Sequence, residues 1–220
     1  MSIVITGAAG GLGSAVCSVF QDAGVDIVAV DRTWKQPQSY RTIAADLNSA
    51  EGAAAMIAEA MQHGPVDGLI HLVGGFAGGA TVAETDDKTW ESMMDINVRV
   101  AFLTIRAALK PMLAAKHGRI VAVGSRAAVE PSPNIGAYAV SKAAVVALIK
   151  TLAAEVKDSG ITANVILPST IDTPANRAAT PKADFSKWVA PQSIGKLLLW
   201  LASDAAADTS GAVIPIYGRA

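Results

Sequence analysis

Seven short runs of β-branched and other apolar residues recur along this chain of 220 residues, and longer alanine-rich segments separate them. Several runs, such as IVIT near the N-terminus and two copies of IVAV, are apolar at nearly every position instead of alternating. Strands have this pattern when helices cover both faces of a parallel sheet. The predicted strands are Ser2–Thr6, Asp26–Val30, Arg41–Ala45, Gly68–Val73, Arg119–Gly124, Ile161–Leu167 and Ala212–Tyr217.

The segments between these runs have the composition and the apolar spacing of helices. Strand and helix therefore alternate, which predicts the α/β class: a Rossmann-type doubly wound parallel sheet of about seven strands with helices on both faces. The length suits one domain, so residues 1–220 are predicted to form a single unit. The predicted helices are Gly11–Asp22, Ser49–Met61, Asn97–Lys116, Ala137–Lys157 and Pro191–Ser203.

Glycine and proline mark where these elements end. Gly118, just after the helix that ends at Lys116, is expected to close that helix in a left-handed conformation. Pro168, Pro174 and Pro181 interrupt a polar stretch. Residues 170–190 are therefore predicted to be a mobile substrate flap without regular structure.

Composition excludes several classes of function. Hydrophobic residues make up 51% of the chain and charged residues 17%, which excludes intrinsic disorder. A net charge of −1 leaves no basic surface for nucleic acid or an anionic membrane. Cys17 is the single cysteine, and no cationic leader precedes the first apolar run, so a reducing cytoplasmic location is expected. No apolar run is judged long enough to span a membrane, so the protein is expected to be soluble.

The first predicted strand leads directly into a glycine-rich turn, TGAAGGLG from Thr6 to Gly13, and a helix follows. Such a turn brings backbone N–H groups and the helix N-terminus close to a pyrophosphate, although tight packing alone can also require glycines there. The second strand favours the nucleotide interpretation. Asp31 follows it, eighteen residues past Gly13, where a carboxylate accepts hydrogen bonds from the ribose diol of an adenosine.

Asp31 also predicts which dinucleotide is bound. Its carboxylate would repel a 2′-phosphate, so NAD(H) is favoured. The neighbouring Arg32 would pair with such a phosphate, which keeps NADP(H) as the alternative. Asp46, after the third strand, is expected either to contact the adenine edge or to be an N-terminal acid or cap of the next helix.

Tyr138 and Lys142 stand four residues apart on a predicted helix, so their side chains share one face. An ammonium there is expected to lower the pKa of the phenol towards neutrality and to make it a proton donor and acceptor. The same pair also occurs as ordinary surface residues. Ser125 ends a predicted strand thirteen residues earlier, where its hydroxyl would polarise a substrate oxygen or simply bond its own turn.

In combination, these motifs resemble the short-chain dehydrogenase/reductase family over nearly the whole chain. The resemblance implies an NAD(P)-dependent oxidoreductase that transfers hydride between nicotinamide and a small organic substrate. The residues that carry it, in the family's order and spacing, are Thr6-Gly7-x3-Gly11-x-Gly13, Asp31, Asn97, Ser125, Tyr138-x3-Lys142, and the run Asn164 to Pro168 leading to Thr173.

The resemblance also implies roles for individual residues. Tyr138 would be the catalytic acid/base, Lys142 would bind the ribose and tune Tyr138, and Ser125 would position the substrate. Asn97 would hold a water that links Lys142 to solvent, although an asparagine that opens a helix is commonly only a cap. The implied cofactor-binding residues are Thr6, Gly7, Gly11, Leu12, Gly13, Asp31, Arg32, Asp46, Gly74, Tyr138, Lys142, Pro168, Ile171 and Thr173.

One segment departs from the family pattern. Where the family usually has Asn-Asn-Ala-Gly, this chain has the four residues His71 to Gly74, HLVG. An asparagine that ties neighbouring strands is missing, which puts the support of the central sheet in question. His71 is expected to be a strand residue with a satisfied ring. Three scattered histidines and one cysteine give no metal-ligand spacing, so no metal site is predicted.

The substrate has two candidate classes. GGFAGG, which begins at Gly74, and LPSTIDTPANRAATPKADFSKW resemble dihydropteridine reductase-like members of the family, which reduce quinonoid dihydropterins. Phe76 and Trp188 would then flank a flat heterocycle, or would simply be packing residues. That subfamily typically lacks a serine matching Ser125, whose presence suits a carbonyl reductase or alcohol dehydrogenase acting on a ketone or aldehyde.

Other classes of function have less support. A non-catalytic dinucleotide-sensing regulator need not retain Ser125, Tyr138 and Lys142, and a serine hydrolase would need a nucleophile elbow that VGSRA does not provide. The helices predicted at Asn97–Lys116 and Ala137–Lys157 carry more apolar positions than one sheet face should cover. A homodimer or homotetramer is therefore expected, as in the family.

Overall fold

All of the predicted strands pair in one sheet. The computed structural model describes residues 1–219, and within them a seven-stranded sheet has the order β3-β2-β1-β4-β5-β6-β7 with every pair parallel. The predicted fold class is confirmed. The strands are β1 (Ser2–Thr6), β2 (Asp26–Asp31), β3 (Arg41–Ala44), β4 (Gly68–His71), β5 (Gly118–Val123), β6 (Ile161–Pro168) and β7 (Val213–Ile216).

Helices cover both faces of this sheet. Successive strand residues point to opposite sides, so Val4 packs in one core cluster while Ile3 and Ile5 pack in the other. The strand order reverses between β1 and β4, and a doubly wound sheet binds its ligand in the crevice at that point. The helices are α1 (Gly11–Asp22) and α7 (Pro191–Ala202) on the Ile3 side, α2 (Ala50–Met61), α4 (Val100–Ala115) and α5 (Gly136–Glu155) on the Val4 side, and the peripheral α3 (Asp87–Met94) and α6 (Pro174–Ala179).

The helix predicted to begin at Asn97 begins earlier. It starts with α3, where the Asp86 carboxylate accepts a hydrogen bond from the Thr89 backbone N–H at 2.6 Å, and it continues through a π-helical turn, Asp95–Arg99, into α4. α3 was not predicted, because its mean apolar content is low and Asp86 was not recognised as its N-cap. Asn97 lies buried inside the π turn, so its interpretation as a helix cap is wrong.

The end of α4 differs from the prediction. Lys116, not Gly118, takes the left-handed conformation, with φ +52°. Gly118 is the first residue of β5, and a Cβ atom there would lie 2.7 Å from the Met112 sulfur. The glycine is therefore required by close packing between helix and strand, not by a helix cap.

Residues 170–190 contain regular structure, so the expectation of an irregular segment is wrong. The Thr173 hydroxyl accepts a hydrogen bond from the Asn176 backbone at 3.3 Å and caps α6, in which Pro174 takes the first position. A parallel bridge between Ile171 and Val189 closes the ends of the segment. The prolines therefore mark the edges of short elements, and the predicted mobility of the flap stays a prediction.

One helix among residues 1–219, α5, is long and apolar enough to cross a membrane by length and composition alone. This corrects the expectation that no such stretch exists, since alanine and valine outweigh the interspersed polar residues of α5. The helix packs against β6, and Ser141, Lys142 and Ile149 are among its buried residues. Core helices of soluble proteins meet the same criterion.

Candidate active site

The turn between β1 and α1 depends on its glycines. Gly7 has φ +72°, and a Cβ atom on it would lie 3.0 Å from the Val73 backbone nitrogen. A Cβ atom on Gly13 would lie 2.2 Å from the Gly7 carbonyl oxygen. The turn therefore folds back tightly on itself, and the N-terminus of α1 faces the crevice of the sheet.

A cleft of about 330 Å³ extends from this turn along the carboxyl ends of β2 and β4. Many of the predicted cofactor-binding residues meet there: Gly7, Gly11, Leu12, Gly13, Asp31, Arg32, Asp46 and Gly74. The other lining residues were not predicted from the sequence, because apolar residues after a strand belong to no recognisable motif. They are Ala45, Leu47, Leu72, Val73, Ile96 and Val100, together with Asn48 and Gly10.

Asp31 joins the end of β2 to the glycine turn. One of its carboxylate oxygens accepts a hydrogen bond from the Ala9 backbone N–H at 2.9 Å, and the other accepts one from the Arg32 backbone N–H at 2.7 Å. Each oxygen keeps a further lone pair, and Asp31 lines the cleft. The carboxylate thus supports the turn and still has acceptor capacity for a bound diol.

Asp46 lines the same cleft but does not cap α2. Its carboxylate accepts hydrogen bonds from the backbone and side chain of Asn48 at 3.1 and 2.7 Å. The cap is Ser49, whose hydroxyl accepts a hydrogen bond from the Gly52 backbone at 2.9 Å. Of the two predicted roles of Asp46, the cap is therefore wrong.

Thr6, one of the predicted cofactor-binding residues, is fully buried and does not line the cleft. Its hydroxyl lies 3.0 Å from Nδ1 of His71, on the paired strand β4. This side-chain pair ties the two central strands and supplies the support that the missing asparagine put in question. Among the described residues 1–219, Nε2 of His71 has no hydrogen-bond partner, so the expected satisfied ring is only half satisfied. Burial, and next the charge of Lys142, lower the pKa of His71 to about 3.

The predicted cofactor-binding residues at and after the end of β6 do not line the cleft. Pro168 is the last residue of β6, and the Ile171 carbonyl accepts a hydrogen bond from the Asn176 side chain at 2.8 Å. Thr173 approaches the glycine turn, because a Cβ atom on Gly11 would lie 3.2 Å from the Thr173 Cβ atom. Residues 170–190 therefore contact the turn through Thr173.

Ser125, Tyr138 and Lys142 meet at the carboxyl end of β5. The Ser125 hydroxyl accepts a hydrogen bond from the Ala127 backbone at 3.1 Å and hydrogen bonds with the Tyr138 phenol. The fully buried ammonium of Lys142 donates a hydrogen bond to the Val123 carbonyl at 2.9 Å. Both interpretations of Ser125, as a turn hydroxyl and as a partner of the reacting group, are thus compatible with its position.

Burial governs the titration of this cluster. It raises the pKa of Tyr138 above its ordinary value, and the hydrogen bond with Ser125 opposes the rise only in part. Burial also lowers the pKa of Lys142 to about 8. The prediction that Lys142 lowers the pKa of the phenol is therefore wrong here, because the ammonium is directed at a backbone carbonyl and desolvation dominates.

The Asn97 amide connects the loop after β4 to α5. Its oxygen accepts a hydrogen bond from the Gly75 N–H at 2.9 Å, and its nitrogen donates to the Gly75 carbonyl at 3.1 Å and to the Ser141 hydroxyl at 3.0 Å. Ser141 in turn donates to the Tyr138 carbonyl at 2.8 Å. Ser141 was not predicted, although its position between Tyr138 and Lys142 on the predicted helix was a usable signal.

Gly74 passes between two members of this network. A Cβ atom on it would lie 2.8 Å from the Asn97 amide oxygen and 3.0 Å from the Lys142 ammonium nitrogen. The two aromatic residues predicted to flank a substrate are in different places: the Phe76 ring contacts Tyr138, with centroids 4.9 Å apart, while Trp188 contacts Phe185 at 4.8 Å.

Comparison with known proteins identifies the family of this chain. A family model described as short chain dehydrogenase matches residues 1–184. D-threitol dehydrogenase of Mycolicibacterium smegmatis is 33% identical over 98% of this chain and 90% of its own length. A solved oxidoreductase of the short chain dehydrogenase/reductase family from Burkholderia thailandensis is 31% identical with a TM-score of 0.86, covering 99% of this chain and 91% of its own. ElxO with NADP bound has a TM-score of 0.92 at 22% identity, covering 99% and 97%.

The doubly wound sheet and the polar cluster beside its crevice define the class of this protein as an α/β oxidoreductase. The match over residues 1–184 then identifies its family. The chain belongs to the short-chain dehydrogenase/reductase family.

Proposed function

We propose that the protein transfers hydride between NAD(H) and the carbonyl carbon of a small organic substrate, with Tyr138 as the acid/base. One observation carries the proposal: Tyr138, Ser125 and Lys142 meet at the end of β5, and Gly74, which lines the cleft, adjoins Lys142. Gly74 therefore links the cleft to the cluster that contains Tyr138.

The cleft suits a dinucleotide. The bare glycine turn leaves room for a pyrophosphate at the N-terminus of α1, and Asp31 offers acceptors to a ribose diol. When bound, NADH supplies the hydride. The negative charge of Asp31 supports NAD(H) over NADP(H), while Arg32 beside it and the NADP-bound structure of ElxO keep NADP(H) as the alternative.

Tyr138 is the proton donor in the proposed reduction. Because its pKa is raised, the phenol is protonated at neutral pH, which is the form that donates to the oxygen of a substrate undergoing reduction. The Ser125 hydroxyl would hold that oxygen beside the phenol. Lys142 would bind the ribose of the cofactor, and its hydrogen bond to the Val123 carbonyl would hold the ammonium beside the cleft.

Two substrate classes follow from different observations. Ser125 supports reduction of a ketone or aldehyde, because a hydroxyl there polarises a carbonyl oxygen. The likeness of GGFAGG and of residues 167–188 to dihydropteridine reductase supports a quinonoid dihydropterin. A screen of NADH oxidation against dihydropterin, ketones, aldehydes and quinones separates the two.

Replacement of Tyr138 by phenylalanine tests the proton step. Tyr138→Phe should lower kcat at least about 100-fold, because the general acid is lost, and should change the Kd for NADH less than about threefold. Stopped-flow turnover and fluorescence titration of NADH measure the two quantities. Tyr40→Phe, far from the cluster, is the matched control and should keep wild-type turnover. Equal turnover in Tyr138→Phe and the wild type would remove Tyr138 from the mechanism.

Replacement of Asp31 tests the choice of cofactor. The wild type should have a higher kcat/KM with NADH than with NADPH, and Asp31→Asn should shrink this ratio roughly tenfold, because the amide oxygen still accepts from Ala9 while the charge is gone. Asp22→Ala, an exposed change at the end of α1, should leave the ratio alone. A wild-type preference for NADPH would contradict the assignment of Asp31.

A further inference from the structure

We propose that Phe76 forms one wall of the substrate site and selects substrates that carry a flat conjugated ring beside the reacting carbonyl. This inference rests on the proposed function, since it takes Tyr138 as the group that meets the carbonyl oxygen. Phe76 is then a specificity-determining residue, and it plays no part in the proton or hydride step.

The exposure of Phe76 is the first observation. The side chain is 68% exposed, yet its ring lies against the Tyr138 ring with centroids 4.9 Å apart and planes at 73°. In such an edge-to-face contact one ring turns its edge to the other, and exposed ring face remains for a further partner. A large apolar surface beside the proton donor is therefore available to a substrate.

The loop that carries Phe76 is held on both sides. Asn97 bonds both backbone polar groups of Gly75, at 2.9 and 3.1 Å. On the other side, the Gly79 N–H donates to the Asn134 carbonyl at 2.7 Å, and Ala80 forms a bridge with Ile135. The ring is therefore carried by a short loop that is hydrogen-bonded at both ends. Little conformational freedom of this loop is lost when a substrate packs on the ring.

Gly78 makes room for this placement. A Cβ atom on Gly78 would lie 3.0 Å from Cζ of Phe76 and 2.9 Å from a methyl group of Ile135. A second cleft, of about 140 Å³, begins here, and its lining combines Ala77, Ile135 and Ala137 with polar residues that include Glu84 and Asp86. A ring stacked on Phe76 would therefore lie at the edge of a cleft of mixed polarity while its carbonyl stays near Tyr138.

Stacking distinguishes a flat ring from a saturated ring of the same size. Aromatic pairs gain free energy beyond the apolar area they bury, whereas a puckered ring contacts the face of Phe76 with fewer atoms. Acetophenone and cyclohexyl methyl ketone differ in this respect and have nearly the same outline. The selectivity between them isolates the contribution of the Phe76 ring.

The test compares these two ketones in wild type, Phe76→Leu and Phe76→Trp. Phe76→Leu, which keeps apolar surface but removes the ring, should raise KM for acetophenone roughly three- to tenfold and change KM for cyclohexyl methyl ketone less than about twofold. Its kcat should change little for either ketone. Phe76→Trp keeps an aromatic ring and should keep the wild-type selectivity. Trp200→Leu, which removes an exposed aromatic side chain on α7, should not alter the selectivity either. Equal effects of Phe76→Leu on both ketones, or none, would overturn the proposal.

A binding measurement separates this inference from the proposed function. Calorimetry with the NAD⁺-loaded protein gives the Kd of each ketone without turnover, and Phe76→Leu should weaken acetophenone selectively by the same factor. If the wild type reduces neither ketone but Phe76→Leu shows this selective loss of binding, the role of Phe76 is supported and the proposed carbonyl reduction fails. If both ketones are reduced but Phe76→Leu changes their affinities equally, the role of Phe76 is overturned and the proposed function stands. If the wild type binds neither ketone, the proposed role of Phe76 is also overturned.

Discussion

The contact between Thr6 and His71 shows how a single pair can replace a missing residue. Thr6 ends β1, His71 ends β4, and the parallel register places them side by side. The hydroxyl and Nδ1 lie 3.0 Å apart in a fully buried position, where a hydrogen bond avoids the cost of leaving a polar atom unpaired. Thr6 therefore ties the start of the glycine turn to β4.

Because His71 is buried, the folded protein should be sensitive to acid. The pKa of His71 is about 3 in the folded protein against 6.5 for an ordinary histidine, so below pH 6.5 the unfolded chain binds a proton that the folded protein does not. Stability is then lost as the pH falls from 6.5 towards 3, by about 2 kcal/mol at pH 5. Urea unfolding at pH 7.5 and pH 5 measures this loss.

His71→Asn should remove that part of the loss between pH 7.5 and pH 5, whatever its effect at neutral pH. His63→Asn is the matched control, because His63 is exposed after the end of α2 and should keep the wild-type pH dependence. A His71→Asn variant that loses as much stability as the wild type would show that other groups cause the acid sensitivity.

At the scale of elements, the connection from α4 to β5 places two residues in unusual surroundings. Lys116 adopts φ +52°, which crowds its Cβ atom against the backbone, and Gly118 fits beneath Met112. The sequence predicts the left-handed conformation at Gly118. Lys116 takes it instead, and Gly118 is required by the small space beneath Met112.

Exchanges at these two positions should have opposite effects. Lys116→Gly should raise the free energy of unfolding by about 1 kcal/mol, because glycine tolerates the left-handed conformation. Gly118→Ala should lower it by about 1–3 kcal/mol, because the new methyl group meets Met112. Lys110→Gly, inside α4, is the control and should lower it by about 1 kcal/mol. Denaturant titration measures all three, and a destabilised Lys116→Gly would contradict the cap assignment.

At the scale of the whole molecule, the strand order creates the site. The carboxyl ends of β1, β2, β4 and β5 lie at one edge of the sheet, so residues as distant in the chain as Gly7 and Val100 line the same cleft, and Gly74 in its wall adjoins Lys142. The exposed apolar side chains Phe102 and Leu113 on α4 and Val140 on α5 are consistent with the expected dimer or tetramer. Assembly into either form stays a prediction.

The amino-acid sequence determined the local features. Apolar runs and alanine-rich segments specified the seven strands and most of the helices, and the glycine spacing specified the turn, because these patterns depend on neighbours within a few residues. The same local patterns singled out Gly7, Gly13 and Asp31, which line the cleft. The sequence also placed Ser125, Tyr138 and Lys142 near the carboxyl end of β5, since Ser125 follows that strand and the other two lie in the first two turns of α5.

Tertiary structure alone decided how these groups interact. The pairing of Thr6 with His71 and the links from Asn97 to Gly75 and Ser141 join segments distant in the chain, so no local pattern reveals them. The direction of the Tyr138 pKa shift depends on how much water the packed protein removes from the phenol, and the spacing to Lys142 cannot supply that. Patterns of neighbouring residues determine the helices and strands, whereas desolvation and contacts between distant segments determine the pKa values and hydrogen bonds of the site.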